Sequence, residues 1–274
     1  MHQAPDVPAG VDTSVPTAAR IYDYMLRGHN YFEADYQACQ RLLAAVPYAP
    51  DVAAANRGFH QRSAKWLAER GIRQFVDIGS GLPTVGNTHE VVQKFIPGAH
   101  VVYVDKDPMV ALHSQALIDS SGAASVICAD LRDPNTILSH PDLHKMIDFG
   151  QPVGLCMTAV LQFVSDQDDP WALLSRYVDV LSPGSYLSLS HLTDDYKPPA
   201  MAEGFRAVFD NATDHMYFRS AAKVARFFDG LELVSPYEDA APAVTFAGYW
   251  GCEDVTLADS EGSRWLYCGV AKKS

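Results

Sequence analysis

The chain has 274 residues, 48% of them hydrophobic, and a formal net charge of −12. That length buries a substantial core as one large α/β domain or two small ones. The negative charge repels a phosphate backbone, and the only basic pair is Lys272-Lys273, so a nucleic-acid partner is disfavoured. No apolar run approaches the roughly 20 residues of a membrane span, and residues 1–16 lack the apolar stretch of a secretory signal. The cysteines at 39, 128, 156, 252 and 268 form no C-x-x-C pair. They read as reduced thiols of a cytoplasmic protein.

In chain order, residues 1–15 are polar and proline-bearing and read as a loose arm. Residues 16–70 are helical in pattern. Ala18, Ile21, Tyr22 and Met25 share one helix face. A second helix is expected over 33–45, and a third over 52–70 with Phe59, Trp66 and Leu67 on one side and Gly71 as its C′ glycine. Short apolar strands then alternate with helices. The strands are expected at 74–78, 100–105, 125–130, 153–160, 185–191, 231–235 and 264–271. Asp107-Pro108, Asp133-Pro134 and Asp169-Pro170 each set a capping aspartate before a proline at the first helical position. The last of these opens a helix with Trp171, Leu174, Val178 and Leu181 on its apolar face. A further helix spans 220–229 and ends at Gly230. This pattern predicts a single α/β domain: a doubly wound, mostly parallel, seven-stranded Rossmann-like sheet with an N-terminal helical extension. Residues 16–70 form a helical cap, 71–274 the core, and 192–219 a lid insertion. Ligands of such sheets sit at the carboxyl ends of the strands.

Three successive strands end near an aspartate. The first reads Asp77-Ile78-Gly79-Ser80-Gly81, the second ends Asp105-Lys106-Asp107, and the third ends Asp130-Leu131. Gly79 and Gly81 let backbone pass close to a ligand without a Cβ clash. Asp105 can accept both hydroxyls of a ribose, and Asp130, one strand further, the exocyclic amine of an adenine. A lone Gly-x-Gly marks any tight turn, and Asp107 and Asp133 read as plain helix caps. Three aligned carboxylates together imply an adenosine-bearing ligand. The nicotinamide-dinucleotide fingerprint needs a third glycine, and Thr84 stands there. Asn87 and Glu90 look like a capping pair that starts the next helix late, away from a pyrophosphate. Asp77, inside its strand, suits a ligand with an amino group, such as the methionine end of S-adenosylmethionine.

The segments FVDIGSGLP, VVYVDKDP and CADLRD resemble the first three motifs of class I S-adenosylmethionine-dependent methyltransferases. A closer resemblance is to a bacterial subfamily, the S-adenosyl methyltransferases, formerly a domain of unknown function. RIYDYMLRGHNYFEAD, NRGFHQR, DIGSGLPTVGNTHEV, VDKDP, ADLRDP, the LSH after the fifth strand and VARFFDGLELV carry it, over about residues 14–236. The resemblance implies a Rossmann-like methyltransferase fold and S-adenosylmethionine as cofactor. By the same resemblance Gly79 and Gly81 line the methionine portion and Asp77 orients its amino group. Asp105, with Lys106 beside it, holds the ribose. Asp130 and Leu131 read the adenine, and Met157 and Thr158 face the sulfonium. Pro83 stands where the broad class often has a third glycine.

Methyl transfer from a sulfonium is an in-line displacement that needs orientation and exclusion of water more than a dedicated nucleophile. His191, ending the fifth strand, is the candidate general base; its plain alternative is a hydrogen bond to the loop that follows. Cys156-Met157-Thr158-Ala159 lacks the (Asp/Asn)-Pro-Pro-aromatic signature of relatives that modify nucleobase or glutamine amines. Tyr22, Tyr31, Phe32, Phe163 and Tyr217 are candidate substrate-binding aromatics, against the plain alternative of helix packing. No metal site is expected. His89-Glu90-Val91-Val92-Gln93 lacks the second zinc histidine, His140 and His144 lack a third ligand, and Asp166, Asp168 and Asp169 read as a turn and a cap. The expected function is S-adenosylmethionine-dependent methylation of a small indole- or phenol-like molecule of specialised metabolism, with no nucleic-acid or membrane partner. The alternatives are a non-catalytic S-adenosylmethionine-binding module and an NAD-dependent oxidoreductase. Oligomeric state is not legible.

Overall fold

Among the described residues, three helices precede the first strand: α1 (Ala18–Met25), α2 (Glu33–Ala45) and α3 (Ala49–Glu69). The computed structural model describes residue 7 and residues 10–83, 86–118 and 122–274. Part of the expected arm and Thr84 therefore lie outside the described residues. The Thr17 side chain caps α1 by accepting from the Arg20 N–H. The Arg20 guanidinium is fully buried, pairs with Asp35 at 3.2 Å and donates to the carbonyls of Asp12 and Val15. A buried cation needs those acceptors, so the arm is held, not loose, at Asp12 and Val15. Helix α3 starts earlier than expected, with Pro50 in its first turn, and Gly71 follows its end at φ 87°.

Strands and helices then alternate: β1 (Gln74–Ile78), α4 (Thr88–Val92), β2 (His100–Asp105), α5 (Pro108–Ile118), β3 (Ala124–Cys128), α6 (Pro134–Leu138), α7 (Pro141–Met146) and β4 (Gly154–Thr158). They continue as α8 (Pro170–Asp179), β5 (Tyr186–Leu192), α9 (Pro199–Phe209), α10 (Ala221–Ala225), β6 (Glu232–Leu233), β7 (Thr245–Phe246), α11 (Val255–Ala258) and β8 (Leu266–Lys272). The predicted caps are made: Asp133 accepts from Thr136 N–H, Asp169 from Ala172 N–H and Asp107 from Met109 N–H. The sheet runs β3-β2-β1-β4-β5-β8-β6, with β7 pairing on β8. Strands β1 to β5 are parallel and β8 runs antiparallel between β5 and β6. The sheet has eight strands, not seven; the added β7 is two residues long, too short to leave a periodic signal.

Strand alternation sends side chains into two cores. Phe75, Cys156 and Cys268 face the layer of α1, α2, α3 and α9. Val76, Ile78, Leu155, Met157, Leu187 and Leu189 face the layer of α8 and α10. On the first face β5 presents hydroxyls: Ser188 donates to Ser63 at 2.8 Å and Ser190 to Asn56 at 2.5 Å, locking α3 onto the sheet. The strand order reverses between β1 and β4, so the crevice for a ligand opens at their carboxyl ends.

Candidate active site

At that edge lie two joined cavities. The outer one, about 300 Å³, is bounded by Asp105, Lys106, Asp130, Leu131 and Asp214. The inner one, about 130 Å³, is bounded by Tyr22, Arg57, His60, Asp77, Thr158 and Phe205 among others. Ala18, Ala19, Gly79, Val160 and Phe163 border both and mark the passage between them.

The glycine loop forms the floor of this passage. Gly79 has φ 70°, and a Cβ there would lie 2.1 Å from Val160 Cγ2, so only glycine fits. Its N–H donates to Val104 carbonyl at 2.7 Å. The Asp105 carboxylate accepts from the N–H groups of Gly81 (2.9 Å) and Asp107 (3.0 Å), which ties the loop to the end of β2. Burial raises Asp105 to about 6, against those two hydrogen bonds. In the outer cavity Lys106 pairs with Asp214, from the segment between α9 and α10, at 2.5 Å. Desolvation pushes Asp130 up, but hydrogen bonds from Arg132 outweigh it and hold the carboxyl below its ordinary value. The Leu131 carbonyl accepts from Tyr177 Oη at 2.6 Å, which fixes the loop after β3.

A polar chain runs along one wall of the inner cavity. Thr88 Oγ1 donates to Asp77 at 2.5 Å and lies 2.8 Å from His60 Nε2. The other ring nitrogen of His60, Nδ1, faces Thr158 Oγ1 at 3.3 Å. Burial lowers the His60 pKa and the neighbouring Arg57 charge lowers it further, while Asp77 opposes both. Beside the glycine loop, Arg57 Nε and Ser80 Oγ are buried without a hydrogen-bond partner among the described residues. Two unused buried donors next to the acceptor Asp77 suit a ligand that carries both a carboxylate and an ammonium. The residues present therefore fit the methionine end of S-adenosylmethionine.

Of the expected site residues, the structure brings together Asp77, Gly79, Gly81, Asp105, Lys106, Asp130, Leu131, Thr158, Tyr22 and Phe163 around the two cavities. Five are placed elsewhere. Met157 is fully buried in the opposite core, because it alternates with Thr158 along β4. Tyr31 packs edge-on to Tyr24 and stacks on Tyr36. Phe32 lies under Arg20 and packs with Leu82 and Met109. Tyr217 borders neither cavity; its backbone N–H donates to the Gln162 carbonyl. His191 is fully buried on the α8 and α10 side, stacked on Phe227. Its Nδ1 hydrogen bonds to the Leu192 carbonyl at 2.7 Å, and its Nε2 accepts from Arg219 at 2.6 Å. Burial and the Arg219 charge drop it to about 3. It has no free lone pair, no access to the cavities and a pKa far from neutrality, so the base role expected of it does not hold. His140 and His144, weighed above as metal ligands, hydrogen bond to backbone at Asp142 and Leu138.

Sequence reasoning missed Asn56, Arg57 and His60 of α3, which all border the inner cavity. Their one-turn spacing within NRGFHQR was the available signal, since polar residues recurring on the inner face of a helix point at a site.

A doubly wound sheet with this strand order, a glycine loop after β1 and carboxylates ending β2 and β3 defines a Rossmann-like methyltransferase. A family model places the chain more narrowly. It belongs to the S-adenosyl methyltransferase family, whose model matches residues 5–274. It is thus an S-adenosylmethionine-dependent methyltransferase, and that cofactor is its methyl donor. The chain is similar to a DUF574 family protein from Streptomyces avermitilis, with 36% identity over 96% of this chain and 99% of that one, at a TM-score of 0.88. It is similar to a candidate methyltransferase from Thermobifida fusca, with 37% identity over 98% and 99%, at 0.90. An O-methyltransferase family protein from Burkholderia thailandensis shares the fold alone, with 14% identity over 88% and 60%, at 0.51. No curated protein matches the sequence. Among the described residues, no helix is long and apolar enough to cross a membrane.

Proposed function

We propose that the enzyme methylates a small, planar, largely apolar acceptor, phenol- or indole-like, held in the inner cavity. The observation that carries this is the lining of that cavity. Tyr22, Phe163, Phe205 and Phe209, with Met25 and Leu42, surround a space that the glycine loop itself borders through Gly79, Ser80 and Gly81. Phe205 and Phe209 come from α9 in the lid insertion, and Tyr22 from α1, so both additions to the core sheet roof the site. Such a pocket suits an aromatic ring and excludes water from a displacement that water would compete for.

S-adenosylmethionine, when bound, supplies an electrophilic methyl group on sulfur. Arg57 and Ser80 would hold its carboxylate, Asp77 its ammonium, Asp105 its ribose hydroxyls, and Asp130 with the Leu131 backbone its adenine. Lys106, clasped to Asp214, closes the outer cavity from the lid side. Phe163, which borders both cavities, and Thr158, on the inner one, orient the acceptor toward the methyl group. The test is release of S-adenosylhomocysteine during incubation with phenols, indoles, a protein extract and nucleic acid. Turnover confined to planar small molecules is expected; turnover of protein or nucleic acid alone overturns the reading.

A further inference from the structure

We infer that His60 is the general base of the reaction, taking the acceptor's proton on Nδ1 at the inner end of the cavity. This rests on the reading that the inner cavity holds the acceptor. His60 projects from α3 and borders that cavity with only 3% of its surface exposed. The hydrogen-bond chain fixes which nitrogen carries the proton. Thr88 has one hydroxyl hydrogen, and at 2.5 Å from Asp77 Oδ2 it goes to the carboxylate. Thr88 Oγ1 is then left as an acceptor, so the Nε2 at 2.8 Å must be the donor. The remaining nitrogen, Nδ1, is then the acceptor of the Thr158 hydroxyl at 3.3 Å at the end of β4, a long contact that the acceptor's own O–H or N–H can replace. A neutral imidazole with its basic nitrogen on the cavity side is what a proton acceptor requires.

Four elements face the ring. Asp77 on β1 lies 3.7 Å from Nε2 and stabilises the imidazolium once formed. Arg57, one turn back on α3, opposes it, and Thr88 of α4 and Thr158 of β4 are neutral. Burial and Arg57 keep the ring neutral in the resting enzyme, and Asp77 makes its protonation affordable. The transfer balances as follows. The acceptor's bond to hydrogen breaks and the proton goes to Nδ1. The electron pair left on the acceptor forms the bond to the methyl carbon. The pair of the breaking carbon–sulfur bond leaves with sulfur, giving neutral S-adenosylhomocysteine.

Two measurements test the assignment on protein saturated with S-adenosylhomocysteine. Nitrogen-15 NMR of the imidazoles should show His60 neutral at pH 7, with the proton on Nε2 and Nδ1 bare. Thr88→Val should mix the two tautomers. A proton resident on Nδ1 overturns the inference. The second measurement uses 4-nitrophenol as probe, at a pH below its own pKa. Bound to wild type it should show the visible phenolate band. Bound to His60→Gln, matched to wild type by thermal melting, it should stay a phenol. Equal phenolate fractions in the two proteins overturn the inference, leaving His60 a holder of Thr88 and Asp77. If 4-nitrophenol fails to bind wild type, the phenol-like acceptor reading falls, and the NMR titration alone decides for His60. With any acceptor that turns over, His60→Gln should lower kcat by about 10²- to 10⁴-fold and remove the acidic limb of its pH profile.

Discussion

One histidine and one aspartate carry the pH behaviour of single residues. Asp105 sits at about 6, and under the proposed cofactor placement ribose hydroxyls would donate to its ionised form. Cofactor affinity should therefore be constant above about pH 6 and fall by about tenfold per unit below it. Calorimetry across that range checks this, and Asp105→Asn should bind weakly with a flat profile. His191 behaves differently. Its pKa drops from 6.5 to about 3 on folding, so the unfolded chain binds the extra proton between those values. Its contribution to stability is full above pH 6.5 and declines as pH falls toward 3, by at most about 1.4 kcal/mol per unit. The raised Asp105 works in the opposite sense between about 6 and 3.8. Denaturant titrations of His191→Gln should show a shallower acid loss, with no change in the pH profile of turnover. Gly79→Ala should abolish cofactor binding, because its Cβ would enter Val160 and its φ is positive. Wild-type affinity in that variant would mean the loop is not the cofactor's floor. At this scale the sequence was half legible. The carboxylates and glycines stood out because strand ends announce themselves. Met157 and His191 were misassigned by parity. Each is one residue out of step with a partner, Thr158 or Ser190, that faces α3, and a single-residue step along a strand reverses the face.

In the proposed function, the added elements select the acceptor. Helices α1 and α3, with α9 of the lid, roof the inner cavity; α2 supplies Leu42 to it and packs on α9. Aromatic clusters in α1, α2 and the lid were visible in the sequence, but which rings face the ligand was not. Tyr31, Phe32 and Tyr217 share their segments with Tyr22 and Phe205, and only packing separates them. Phe163, half-buried and bordering both cavities, should report on the acceptor. Phe163→Ala should raise the acceptor KM roughly tenfold, matching a loss of about 1–2 kcal/mol of apolar contact, with smaller effect on cofactor affinity. Tyr31→Ala should leave both constants unchanged and lower only the melting temperature. The reverse outcome would place the acceptor over the Tyr24–Tyr31–Tyr36 cluster instead. The helix boundaries came close because proline and aspartate mark starts and Gly71 marks an end. Strand β6 was overestimated and β7 unseen, since two-residue strands are set by pairing to β8 and not by their own pattern.

Across the whole molecule, strand alternation builds two cores, one on each face of the sheet. The α8 and α10 side is closed by Tyr177, Phe227 and the buried Arg219–His191 pair. The α3 side borders the inner cavity, and its polar ties, Ser63–Ser188 and Asn56–Ser190, set where α3 lies above the sheet. The doubly wound class was readable from the alternation of elements, whereas the place of β8 was not, because nothing local dictates an antiparallel insertion. That insertion has a consequence for how the enzyme is born. Strand β8 follows every other strand in the chain yet lies between β5 and β6, and its Leu266 lines the inner cavity. While the nascent chain is still on the ribosome, β5 has a bare edge and the pocket lacks a wall until residues 266–272 emerge. An unpaired edge of this kind recruits other strands. The newly made enzyme is thus most prone to aggregate in the interval before β8 inserts between β5 and β6.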